Sequence, residues 1–588
     1  MRKLFILLSL LFPVLATAAP VEEAMCRRVA AEFLKSKKAG VEMAQLKLVN
    51  TEPAVKSSTS APAYYVYTMP SKGFVIVSGD DSVEPILGYS TESRFAQEGH
   101  APNFESWMGM WEKIIAANRK HSTKASSKVS EAWSNFTAPA RTTSGPAELL
   151  IETALWDQGS PYNLLCPKDA GGYCVTGCTA TALAIIMRHQ KWPDCGVGTL
   201  PGYTTNGITI PDIKLGEKYD WDNMPLVYDS SASEAQKMAV ATIMYHLGVM
   251  MQSNYSSSGT GSHSFYIANT ITKYMKYDES EFFAYADFYK DGEWVELIKS
   301  SIQDNCPVHY SGYTEDGAGH AFVADGYDNQ NKIHINFGWS GQDNGYFAFP
   351  EFSDFTIGHI ALCFLKKKQE GTPKANIMFD TANGSRGLVI TSNGKPVTNF
   401  EVGKPFDIKA GSYFNFSPVQ FEGELGVGKF NRNGEMVEII GSDEASIGGL
   451  TATGYYITDL EYTYCTLTTP IRVGDVLRPM FRAKGEKTWT ACPYGRTLYG
   501  FTGEVEIADN RTIEESTTIT FDVVQGIAEV SVKDGVDIKL LNAAGAGVTA
   551  GVEATDTGII IDVKAVGKGT YKLCLTKDYE NVEMEVKL

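Results

Sequence analysis

Helical periodicity stops at Lys366-Lys367-Lys368, and this break constrains the fold more than any other feature of the sequence. Upstream, 3.6-residue patterns at Ala180–Arg188, Ala235–Gln252 and Ser264–Tyr277 alternate with strand patterns at Pro307–Tyr310, Ala321–Gly326, Ile333–Phe337 and Tyr346–Phe349. Downstream, the chain reads as short runs of β-formers between Gly and Asn turns. The two periods place side chains on different faces, so one pattern cannot settle into the other element. The reading is an α+β front half and an all-β, sandwich-like rear half. At roughly 150 residues per domain, 588 residues correspond to about four units.

The boundaries follow from changes of texture. Arg2-Lys3, the apolar run Leu4 to Leu15 and the small residues Ala16-Thr17-Ala18 read as a secretory signal peptide over 1–18. An apolar run of about 12 residues is too short to span a bilayer, which takes about 20. Residues 19–121 form a small α+β unit. An amphipathic helix over 21–35 carries Val21, Met25, Val29 and Phe33 at four-residue spacing, and strands follow at Tyr64–Tyr67 and Phe74–Val77. Residues 122–147 are rich in Ser, Thr, Ala and Pro and read as an exposed linker. The segment 148–368 holds seven of the nine histidines and five of the nine tryptophans, so the chemistry is sought there. Residues 372–510 read as a β-sandwich and 515–588 as a further β domain.

A composition of 43% hydrophobic and 21% charged residues excludes wholesale disorder. A net charge of −17 argues against nucleic-acid partners and against a polybasic membrane surface. Ten cysteines are too few for a disulfide scaffold, although export permits pairing, and Cys465–Cys492 is the first pair to test. Neither His320 with His334 nor Cys174 with Cys178 has the spacing of a metal site, and no phosphate loop or Gly-x-Ser-x-Gly elbow occurs. No cofactor or metal is expected.

Four short stretches carry candidate chemistry. Cys178 follows Gly177 and opens a helical run, where unsatisfied amides and the helix dipole favour a thiolate. His320 follows Gly317-Ala318-Gly319 at the start of a strand and is accessible enough to act as a base. His189 lies about 16 Å along the Cys178 helix, too far to serve, and His334 is mid-strand and reads as packed. Asn336, in Asn-Phe-Gly-Trp, could orient the base. If Phe322 pairs with Asn336, the amide and His320 share a face; a slip of one residue separates them. Gln158 lies upstream in Trp-Asp-Gln-Gly and could donate to an oxyanion.

The order Gln158, Cys178 helix, Gly319-His320 strand, Asn336-x-Gly338-Trp339 resembles papain-like cysteine peptidases, and in detail the streptopain family. The resemblance spans Trp156–Pro167, Thr176–Pro193, Tyr219–Pro225, Gly319–Asp328 and His334–Phe347. Tyr64–Tyr89 resembles the inhibitory prodomain of the same family. The resemblance implies that Cys178 is the nucleophile, His320 the acid/base, Gln158 the oxyanion donor, Asn336 the residue orienting His320, and Trp339 the aromatic sheltering that pair. Phe337 departs from the family, which often has Trp there. The expectation is a secreted, periplasmic or cell-surface cysteine endopeptidase made as a zymogen. Its own prodomain acts as inhibitor, protein and peptide chains are its substrates, and cleavage within 122–147, with Arg141 one candidate, activates it. The alternative is a surface adhesin with a minor or inert papain-like part.

The terminal unit resembles the sorting domains that take exported bacterial proteins across an outer membrane by the type IX route. One more immunoglobulin-like β domain is the alternative. If it sorts, deleting 515–588 leaves active peptidase trapped in the periplasm, read by fractionation and casein hydrolysis. Normal release of the truncated protein contradicts sorting.

Overall fold

The computed structural model describes residues 19–136, 148–349, 358–368 and 376–507 apart from short stretches at 38–41, 54–60, 71, 97, 279–282, 290–291, 314–318, 382–386, 398, 418, 451–455, 473 and 495–502, and parts of 518–587. The signal-peptide residues 1–18 and the Arg141 cleavage candidate lie outside the described residues. Among the described residues no helix is long and apolar enough to cross a membrane.

The first unit contains α1 (Glu23–Ser36), β1 (Lys47–Pro53), β2 (Pro62–Thr68), β3 (Phe74–Ser78), β4 (Ile86–Ser90) and α2 (Pro102–His121). The periodicity of α1 is borne out: Cys26, Val29, Ala30, Phe33 and Leu34 are buried against β2 and β3. The 20-residue α2 was not foreseen. Its signal is Pro102 in the first turn, where a missing N–H costs nothing. The stretch read as linker begins with a further helix, α3 (Ser127–Ser134). It is anchored by buried Trp133, whose indole donates to the Val83 carbonyl at 2.8 Å.

The next unit contains α4 (Cys178–Gln190), α5 (Glu234–Met250), α6 (Ser264–Tyr274), β5 (Phe283–Tyr285), α7 (Glu293–Gln303), β6 (Val308–Tyr313), β7 (Gly319–Tyr327), β8 (Ile333–Asn336), β9 (Gly345–Phe347) and β10 (Ile360–Leu362). Its strands do not form a separate sheet. One 11-stranded antiparallel sheet runs β1-β2-β3-β4-β9-β8-β7-β6-β10-β5, with Leu149–Leu150 pairing beside β7. The seam is β4 against β9, where Tyr346 faces Tyr89 and Phe347 faces Gly88. A side chain at Gly88 would meet the Phe347 ring at 2.5 Å, so glycine there admits the seam. One face of the second unit's strands packs α4 through Ala321 and Val323; the other packs α2 through Phe322, Ala324 and Phe337.

Among the described residues the rear half is all β, as the loss of helical periodicity implied. Sheets built on Ile377–Asp380, Leu388–Ser392 and Phe421–Phe430 enclose an aromatic and aliphatic core. Cys465 and Cys492 are both buried in that core as free thiols, so the pairing considered from sequence is not formed. Phe414 and Phe416 pack tilted or edge-on against Phe283, Tyr285 and Phe288, which fastens this half to the α4 side of the molecule. Beyond 518, two small sheets share a core of Leu540, Ile561, Leu573, Leu575 and Val586.

A buried carboxylate clamps the seam. Asp328 accepts from Tyr89 at 2.8 Å and from the Lys37 ammonium at 3.0 Å, both in the first unit. Burial alone would raise its pKa, but Lys332, Lys37 and the Lys332 amide outweigh it and hold the carboxyl below its ordinary value. A depressed carboxylate contributes stability above its unfolded pKa of about 4, lost as pH falls through the folded value. The two units should therefore come apart on acidification below about pH 4. Lys37→Met should move that transition to higher pH, followed by tryptophan fluorescence; an unchanged acid midpoint would refute the clamp.

Candidate active site

Helix α4 starts at Cys178 because Gly177 takes a left-handed φ of 87° and packs against another chain segment; a Cβ there would lie 2.6 Å from the Thr260 carbonyl. The helix is apolar on nearly every side, since α5 and the β6–β7 face enclose it. Cys178 is partly accessible. The amides of Ala321 and Thr179 and the Thr179 hydroxyl bear on its sulfur and favour the thiolate. Burial is the larger influence, and the thiol is raised rather than lowered. The helix start alone thus does not deliver the acidic thiol expected from sequence in this conformation.

Gln158 is buried beside the same turn. Its backbone carbonyl accepts from Thr176 N–H at 3.1 Å, two residues before Cys178. Its own N–H is held by Asp157 at 2.6 Å, and the other Asp157 oxygen accepts from Ser340 at 2.8 Å. The loop after Trp339 is thereby tied to the Gln158 loop. Trp339 is half-buried and packs on the core cluster that contains Phe322 and Phe337.

His320 lies at the second position of β7, opposite Gly312. Cys178 packs against the core cluster that contains Ala321, so the start of α4 lies against β7. Asn336 pairs with Val323, not Phe322. This is the one-residue slip: His320 falls in the row of Phe322, and Asn336 in the row of Ala321 and Val323. Alternation along the strand therefore does not set the ring and the amide side by side in this conformation. Asn336 is 1% exposed, donates to Thr153 Oγ1 and the Ala154 carbonyl at 2.9 Å each, and accepts from Gly338 N–H at 3.1 Å.

Sequence reasoning missed Asn103, in the first turn of α2. It is 2% exposed and its Nδ2 donates to the Ala321 carbonyl at 3.1 Å and to the Phe337 carbonyl at 2.7 Å. The Asn103 amide thus bridges β7 and the residue after β8, just beyond the last pair Val323↔Asn336. Phe104 packs edge-on against Phe337, so the aromatic that departs from the family pattern faces α2. His309 was missed as well. It is fully buried under α4, with Nε2 3.2 Å from the Thr179 carbonyl, and burial lowers its pKa to about 4. His334, read as packed, is partly buried and meets Asp325 at 2.5 Å.

An apolar helix lying across an antiparallel sheet, with a Cys at its start and a His at the start of the facing strand, is the arrangement of a papain-like cysteine peptidase. The comparisons place it more closely. The sequence model of the peptidase C10 family matches residues 156–347, and that of the Spi protease inhibitor matches 18–115. Streptopain of Streptococcus pyogenes is 30% identical over 320 residues, covering 50% of this chain and 75% of streptopain. The thiol protease/hemagglutinin PrtT of Porphyromonas gingivalis is 27% identical over 372 residues, covering 61% of this chain and 42% of PrtT. A prointerpain A fragment of Prevotella intermedia aligns with a TM-score of 0.44 at 26% identity, covering 56% of this chain and 100% of the fragment. The chain belongs to the peptidase C10 family and carries an inhibitor prodomain of the Spi type.

Asn103→Ala should weaken the hold of α2 on the site. Two buried hydrogen bonds of about 1 kcal/mol each correspond to roughly tenfold or more in the population of opened precursor. The lag before self-processing of the purified precursor should shorten accordingly. An unchanged lag in a folded Asn103→Ala precursor would contradict this role.

Proposed function

We propose that the protein is a secreted cysteine endopeptidase made as a zymogen: 1–18 exports it, 19–121 inhibits, 122–147 carries the activating cleavage, and 148–368 is the peptidase. The observation that carries the reading is that Cys178 opens the apolar helix packed on β7, the strand that carries His320 at its second position. Cys178 attacks the scissile carbonyl, and the tetrahedral oxyanion is held by Gln158 and the Cys178 amide. His320 protonates the leaving amine, then acts as base while water hydrolyses the thioester. Asn336 orients the His320 ring and Trp339 shelters the pair.

In this account the precursor is latent because Asn103 occupies the Ala321 and Phe337 carbonyls at the strand that carries His320. Loss of α2 frees the start of β7. Gly319 gives the His320 ring room to reach Cys178 and Asn336. Cutting the connection after α3 is what permits that loss, since the β4–β9 seam holds only while the prodomain is present.

Cys178→Ala and His320→Ala should each lower hydrolysis of casein by several orders of magnitude, and the double variant little further, because the two act as a unit. Gln158→Ala should lose roughly 10²-fold in turnover. Cys178→Ala should accumulate as precursor and be cut when wild-type enzyme is added. Wild-type activity in folded Cys178→Ala protein would overturn the assignment. The name of PrtT, which joins a thiol protease to a hemagglutinin, supports a second role for the β domains here as an adhesin. Cell agglutination by Cys178→Ala protein tests that role.

A further inference from the structure

Asn336 can orient His320 only if its amide presents oxygen, and not nitrogen, to the ring. The two ends of a carboxamide have nearly the same shape, so something must select the orientation. Three groups around Asn336 have fixed polarity. The Ala154 carbonyl only accepts, so the Asn336 nitrogen must face it, at 2.9 Å. Gly338 N–H only donates, so the Asn336 oxygen must face that side, at 3.1 Å. The third is Asp325, which is 2% exposed. One of its oxygens meets the Thr153 hydroxyl at 2.5 Å and the other His334 Nδ1 at 2.5 Å. An ionised carboxylate only accepts, so Thr153 must spend its proton on Asp325. Its Oγ1 is left as an acceptor, and it takes the second Asn336 N–H at 2.9 Å.

Hydrogen-bond direction therefore runs one way, from Asn336 to Thr153 to Asp325, and all three side chains are buried. Thr153 itself is held to the sheet, since Ile151 N–H donates to the Asp325 carbonyl at 2.8 Å. The Asn336 oxygen has two lone pairs. Gly338 uses one, which leaves the other for the N–H of His320 once the ring reaches Asn336.

We propose that Thr153 and Asp325 are positioning residues of the peptidase, which fix the polarity of the Asn336 amide so that its oxygen meets His320. The inference rests on the catalytic reading of Cys178, His320 and Asn336. It extends that reading to two side chains that touch neither substrate nor nucleophile.

Thr153→Val keeps the shape and removes the hydroxyl; Thr153→Ser keeps the hydroxyl. In the processed enzyme, Thr153→Val should lower kcat roughly ten- to a hundredfold with KM within about twofold of wild type. Thr153→Ser should restore most of it. The pH profile of Cys178 alkylation by iodoacetamide should shift in Thr153→Val and return in Thr153→Ser. In an Asn336→Ala background, Thr153→Val should cost nothing more, because its effect passes through the amide. Full kcat in folded Thr153→Val, equal impairment of the serine and valine variants, or an undiminished loss in the Asn336→Ala background would each overturn the proposal. If the valine variant does not fold, Thr153→Ala against Thr153→Ser makes the same comparison. An Asn336→Ala enzyme with wild-type kcat would instead remove the role of Asn336, a failure of the underlying reading and separable from the others.

Discussion

The packing of α4 against β7 is the contact on which the rest of the molecule depends. A helix this apolar can be seated only where it is covered all round. Ala321 and Val323 supply the floor beneath it. Because Cys178 opens that helix and His320 lies one residue before Ala321, the packing brings the two residues onto neighbouring elements, with the His320 ring in the row of Phe322 in this conformation. Cys178 and His320 are both partly accessible.

The proposed latency rests on the opposite face of the same sheet. Prodomain and peptidase share one continuous set of strands, and α2 covers the face that α4 does not. The prodomain therefore does not plug a finished site from outside. It completes the sheet, takes the Ala321 and Phe337 carbonyls through Asn103, and ties its own Lys37 and Tyr89 to Asp328. Backbone pairing, a buried amide and a charged clamp are independent holds, so removing any one weakens inhibition without abolishing it.

Much of this was legible in the sequence because it is carried by local pattern. Helix α1, the Cys178 helix, the hairpin of β7 and β8 and the all-β rear half each have a period or a turn signal of their own. The Gln, Cys, His and Asn-x-Gly-Trp order identified the peptidase because those residue types recur together for one chemistry. What was not legible depends on pairing between distant segments. The Val323↔Asn336 register, the merging of two sheets at Tyr89↔Tyr346 and the reach of Asn103 are set by partners 13 or more positions away, and no local pattern reports them. The Cys178 thiol shows the same limit. A helix start pulls its pKa down, but burial against the peptidase core pushes it up, and only the folded chain decides which is larger.

The central claim is that Cys178 is a nucleophile kept silent by the prodomain. It is tested most directly by the rate at which an irreversible thiol-directed epoxide labels Cys178 in the precursor and in the processed protein. The account predicts slow labelling of the precursor, and rapid labelling of the processed form at Cys178 alone with peptidase activity lost in proportion. Peptidase activity that survives complete modification of Cys178, or equal labelling rates in the two forms, would contradict it.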